Sequence, residues 1–171
     1  MMKERYLYIL RLFLVSAVVL VIQLSVVNRI SPLSPVPDLI FVLMLILVVD
    51  RDPVTAVVIG FLLGFLQDLG NASFLGMNAL GNSVAAYMVA RMGKDYLPDN
   101  TLFRALLFFA AYLVKDIIAL NIVESFSPVP VLLGFFRYSL LSALFTSAIA
   151  ALIWKILEIS FERVVYPGGR Y

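Results

Sequence analysis

Long stretches of this sequence carry no charge, and that property decides what solvent the chain folds in. Leu12 to Asn28 is one such run and Leu39 to Val49 another, and hydrophobic runs recur as far as Trp154. Only 24 of the 171 side chains are ionised, 13 basic and 11 acidic. A soluble domain carries about 25% charged residues, so this chain could not coat a water-facing surface and is expected to live in a bilayer. A helix rises about 1.5 Å per residue and needs roughly 20 residues per crossing. Six helices then use about 120 residues and leave about 50 for loops and tails, too few for a second folded domain.

The same scarcity excludes several functions. A net charge of +2 without a basic patch gives no footing for nucleic acid. With no Cys and no His, disulfides, thiol catalysis, zinc-type sites and imidazole acid–base chemistry are absent. No metal or cofactor is expected.

The pattern predicts an all-α integral membrane protein: one compact six-helix transmembrane domain over 1–171. Its spans fall at about 7–27, 36–50, 54–68, 74–90, 102–123 and 133–154, with a short tail at 155–171. The first span follows Lys3, Glu4 and Arg5 in the manner of a signal peptide. Its apolar run exceeds a signal core of about 7–15 residues, and Val26–Arg29 is no small-residue cleavage site, so it reads as retained. Pro32, Pro35 and Pro37 break the chain before Asp38, which stands where it can cap the second span. That span is short and must be buried against neighbours or thin the bilayer. Asp50-Arg51-Asp52-Pro53 is a tight turn with Pro53 at a natural first helical position. Pro128 and Pro130 mark a further outer loop.

Lys3, Arg5, Arg11, Arg51, Arg91, Lys94, Arg104, Lys155, Arg163 and Arg170 fall on one side of this layout. Only Arg29, Lys115 and Arg137 fall on or near the other. Ten against three places both termini in the cytoplasm by the positive-inside rule.

Intramembrane polar residues are the candidate sites. Gly60 and Gly64, four apart, form a flat stripe for close helix packing. Asn78 and Asn82 share one face of the fourth span and read as helix–helix glue. Lys115 and Asp116 interrupt the fifth span, about 20 Å along its axis from Leu102. Lys115 can snorkel outward, whereas Asp116 needs a partner, and Arg137 is the obvious one. A structural ion network is favoured there, ahead of a partner or lipid contact and of a relay. Asp38 and Asp68 suggest capping or loop bracing, and Asp50 with Arg51 braces the cytoplasmic turn. Nothing in the sequence pairs a nucleophile with a base or builds a phosphate loop, so no enzyme is expected.

Four pieces of sequence then carry a resemblance. They are Pro37-Asp38-Leu39-Ile40; Asp50-Arg51-Asp52-Pro53; Gly60-Phe61-Leu62-Leu63-Gly64-Phe65-Leu66-Gln67-Asp68; and, seven residues after Asp68, Leu75-Gly76-Met77-Asn78-Ala79-Leu80. Their order and spacing, with the length and six-span pattern, resemble the MreD rod shape-determining proteins of bacteria. The likeness covers the middle third closely and the rest by hydropathy. It implies a non-enzymatic, multi-pass inner-membrane component of the peptidoglycan elongation machinery that maintains rod shape. The implied partners are a bitopic MreC-like protein, RodA, a class B penicillin-binding transpeptidase, MreB and membrane lipids; whether the protein forms a homodimer stays open. Asp38, Gly60, Gly64, Asp68, Gly76 and Asn78 occupy family-motif positions. The family is also similar in fold to the substrate-binding membrane subunits of vitamin-uptake transporters. The alternative is therefore a small-molecule or lipid-binding transporter subunit.

Overall fold

A computed structural model describes residues 18, 19, 21–23, 25, 36–70, 74–96 and 101–165. Most of the first span, the proline-rich segment before Val36, Arg29 and the N-terminal bases lie outside the described residues, as does Arg170. The described residues form helices joined by turns and short irregular segments, with no strand among them. The elements are α1 (Leu39–Val48), α2 (Pro53–Leu69), α3 (Met77–Tyr96), α4 (Thr101–Val123) and α5 (Pro128–Gly134). One π-helical turn, Phe135–Ser139, leads directly into α6 (Leu140–Val165). Two stretches are long and apolar enough to cross a membrane, Thr101–Val123 and Pro128–Ile156; α1 and α2 are shorter apolar helices.

The shortness of α1 has a packing explanation. Its ten residues span about 15 Å, roughly half a hydrocarbon core, and it is apolar on every side. Ile40, Phe41, Val42, Met44, Leu45 and Val48 are all buried. A helix hydrophobic all round belongs in the centre of a bundle, and α1 lies against α2, α3 and α6. The Phe41 ring meets Tyr112 of α4 edge-on, with centroids 5.3 Å apart. The described residues of the first predicted span also reach this core: Val19 packs against it, and Gln23 Oε1 accepts the Leu39 N–H at 2.9 Å.

α2 begins where the sequence places it. Asp52 caps it by accepting the Thr55 N–H at 2.9 Å, and Pro53 occupies the first turn. Its outer side is apolar and exposed at Val54, Val58, Phe61, Leu62 and Phe65, whereas Ala56, Gly60, Leu63, Gly64 and Asp68 face inward. This small-residue side lies along α3, the most extensive helix contact among the described residues. A Cβ on Gly60 would stand 2.6 Å from the Asn82 carbonyl oxygen, and one on Gly64 2.6 Å from the Ala79 Cα. Neither space exists, so glycine sets how closely the backbones approach.

The helices differ most from the expected limits at both ends of the fourth and last spans. The fourth span, expected at 74–90, runs as Met77–Tyr96. The last span, expected at 133–154, begins at Pro128, because prolines in a first turn lack only N–H groups that have no intrahelical acceptor. It continues to Val165 rather than giving way to a tail at Lys155, since no Gly or Pro occurs between Lys155 and Val165.

The end of α4 carries a local irregularity. Phe126 N–H bonds the Asn121 carbonyl at 2.8 Å and Ser125 N–H the Ile122 carbonyl at 3.4 Å. This is a Schellman closure, and Ser125 (φ 50°) and Phe126 (φ 60°) take left-handed conformations usually left to glycine.

Candidate functional site

The polar groups of the described bundle converge on Asp38. Asp38 Oδ1 accepts the Phe41 N–H at 2.9 Å, which caps α1. Its Oδ2 accepts from Gln67 Nε2 of α2 at 3.1 Å and forms an ion pair with Lys115 Nζ of α4. Its own N–H donates to Thr146 Oγ1 of α6 at 3.1 Å. One residue therefore joins α1, α2, α4 and α6. The residue after it, Leu39, reaches Gln23.

Lys115 does not snorkel. It is 4% exposed and Asp38 5%, and its ammonium lies 5.3 Å from the Phe41 ring centroid and 5.4 Å from that of Tyr112. A buried ammonium needs a counter-charge and something for its remaining protons; here Asp38 supplies the first and two aromatic faces the second. Gly81 of α3 permits the close passage of α4, because a Cβ there would sit 3.0 Å from Lys115 Cγ.

Asp116 and Arg137 do not join Lys115 in one network. Asp116 Oδ2 accepts from Ser139 Oγ instead, and Arg137 lies over the Tyr138 ring at 5.4 Å, exposed. The reason is rotational. Ser139 is buried, and a residue two positions earlier points to nearly the opposite face of the helix.

Asp68 forms the second cluster. It is 1% exposed and accepts four hydrogen bonds at the start of α3. These come from the N–H groups of Gly76 (3.0 Å), Asn78 (3.1 Å) and Ala79 (3.0 Å), and from Asn78 Nδ2 (2.9 Å). The last residue but one of α2 thus caps α3, where orphan N–H groups and the helix dipole favour an anion. Gly76 turns the chain into this position at φ +95°.

Asp50 and Arg51 lie exposed in the turn before α2. Asn82 is fully buried, and neither Nδ2 nor Oδ1 finds a hydrogen-bond partner among the described residues.

Sequence reasoning missed Gln67, Tyr112, Ser139, Ser142 and Thr146. Ser142 lies beside Tyr112. Ser139, Ser142 and Thr146 are spaced i, i+3, i+7, one helix face, and they meet Asp116, Tyr112 and Asp38 in turn. That hydroxyl spacing in an otherwise apolar helix was the available signal.

Chemically the arrangement is closed. The Lys115 and Asp38 charges neutralise each other, and Asp68 is saturated with donors. The described residues hold no group of three or more Asp, Glu, His or Cys side chains that could bind a metal. These groups fix helices relative to one another and leave neither carboxylate free as a base or nucleophile.

No curated protein and no solved structure matches the chain. The pattern of one family, described as rod shape-determining protein MreD, matches residues 3–164. Over nearly its whole length, therefore, the chain belongs to the MreD family.

Proposed function

We propose that this protein is a rigid six-span membrane bundle, with both ends in the cytoplasm of a bacterium, on which the elongation machinery for peptidoglycan assembles. Membership of the MreD family makes it a non-enzymatic scaffold in rod-shape maintenance, and members of that family interact with MreC-type partners. The observation that carries the reading is the convergence of four helices on Asp38. It commits the buried charges Asp38 and Lys115 to architecture, while the lateral surfaces are mostly apolar.

The single helix of an MreC-like protein then lies against one lateral face, and outer loops 28–38 and 124–131 touch its periplasmic part. RodA, the class B transpeptidase and MreB join through that assembly. The left-handed Ser125 and Phe126 and the prolines behind them give the second loop a fixed shape suited to docking. Copurification from native membranes, followed by identification of bound proteins and small molecules, tests this. An MreC-like protein as the stoichiometric companion is expected. A retained small molecule together with an energy-coupling partner would replace the scaffold with a transporter subunit.

A further inference from the structure

One lipid-facing stripe on the last helical stretch carries a cation that the bundle does not use. Leu133, Arg137, Leu141, Leu144, Ala148 and Leu152 follow at helical spacing from α5 into α6, and all are exposed. Leu133 is 67% exposed, Leu144 54% and Leu152 62%. Arg137 is the only charged residue in the stripe, and it forms no salt bridge among the described residues. Its contact is the Tyr138 ring. An arginine on a hydrocarbon-facing surface is expensive unless it reaches an anion.

The depth of Arg137 says which anion it can reach. Pro128–Ile156 has 29 residues, about 43 Å of helix, which equals a bilayer of about 40–45 Å including headgroups. Arg137 is nine residues, or about 13 Å, from the Pro128 end. The headgroup layer takes up the first 5–7 Å or so, which leaves its Cα roughly 6–8 Å below the hydrocarbon edge. That is about the length of an arginine side chain. Side chains on a helix lean toward its N-terminus, here the Pro128 end. The guanidinium therefore leans back toward phosphate level while Leu141, Leu144 and Leu152 run below it.

From this geometry we infer that Arg137, steadied by Tyr138, holds the phosphate of a phospholipid in the leaflet at the Pro128 end, with an acyl chain along the leucine stripe. The fork of guanidinium N–H donors suits two phosphate oxygens. The absence of any acidic side chain in the stripe leaves the single negative charge of a phosphodiester as the complement. The inference rests on the membrane-spanning reading above and adds a lipid site to it.

Native mass spectrometry of the full chain, released from micelles doped with equal phosphatidylglycerol and diacylglycerol, tests the site. The two lipids share acyl chains and differ in the phosphate. Wild type should retain phosphatidylglycerol in preference by roughly fivefold, as expected for one arginine at phosphate level. Arg137→Gln should lose that preference and Arg137→Lys should keep most of it. Equal retention of the two lipids by wild type overturns the inference, as does an unchanged preference in Arg137→Gln. Loss of preference on adding millimolar inorganic phosphate would assign the site to free phosphate. Loss of a copurifying acidic protein in Arg137→Gln, with lipid preference intact, would assign it to a protein contact. If Arg137→Gln loses its helical circular dichroism, wild type and Arg137→Lys decide the matter. Cysteine labelling at Ser127 separates the two levels: cytoplasmic exposure there sinks the topology, whereas outer exposure with no lipid preference sinks only this site.

Discussion

Lys115→Met isolates the interaction on which the bundle turns. The substitution keeps an unbranched apolar stem between the Phe41 and Tyr112 rings but removes the ammonium. Asp38, 5% exposed, then keeps the Phe41 N–H and Gln67 Nε2 bonds and loses its only counter-charge among the described residues. Breaking a buried pair from one side costs about 3–5 kcal/mol, because the surviving charge stays desolvated. Asp38→Asn alone strands the ammonium and should cost a similar amount. The double variant Asp38→Asn/Lys115→Met strands nothing, and its loss should be well below the sum of the single losses. A coupling of at least about 2 kcal/mol is expected, above the few tenths that independent sites show. The assay is SDS-driven unfolding in mixed micelles, followed by helical circular dichroism for all four proteins. If Lys115→Met costs less than about 1 kcal/mol, or the double variant loses the sum of the singles, the ion pair is not what locks these helices.

Other perturbations test the remaining contacts. Gly64→Leu forces a side chain into the Ala79 backbone and should cost about 1–3 kcal/mol or more as overpacking, seen as a lower SDS midpoint; an unchanged midpoint would mean α2 and α3 are not in close contact. Asp68→Ala removes the acceptor for four donors and should cost about 1–3 kcal/mol, with hydrogen exchange accelerated at Asn78 and Ala79. Gly76→Ala meets no neighbour, yet the left-handed φ should still cost about 1–2 kcal/mol. A neutral Gly76→Ala would show that the turn relaxes. Thr146→Val leaves the Asp38 N–H without its acceptor and should destabilise by about 1–3 kcal/mol, whereas Ala148→Val on the exposed side of the same helix should not.

How far the site could be read from sequence followed the range of each interaction. Asp38 and Asp52 cap helices three residues away, and such local signals are written in residue order. Gly60 and Gly64 announced a close crossing by spacing alone, though only the fold identifies Asn78, Ala79 and Asn82 as what they press against. The Lys115–Asp38 pair spans 77 positions. Counting along α4 placed Lys115 by depth but could not register α4 against α1, so snorkelling and an Asp116–Arg137 pair looked reasonable. The π-helical turn matters for the same reason: Ser139, two residues from Arg137, meets Asp116. The proline at 128 was legible as a breaker, but a first-turn proline starts a helix as readily as it ends one.

The scaffold claim is tested most directly by photo-crosslinking in living cells, with crosslinkers placed singly in segment 124–131, which the proposal puts outside, and in segments 50–53 and 91–100, which it puts in the cytoplasm. The account predicts crosslinks from Phe126 and its neighbours to the periplasmic part of an MreC-like protein, with few or none from the cytoplasmic segments. Crosslinks to that protein from the cytoplasmic segments alone would contradict the outer docking surface. Crosslinks to no elongation protein from any position would contradict the scaffold itself.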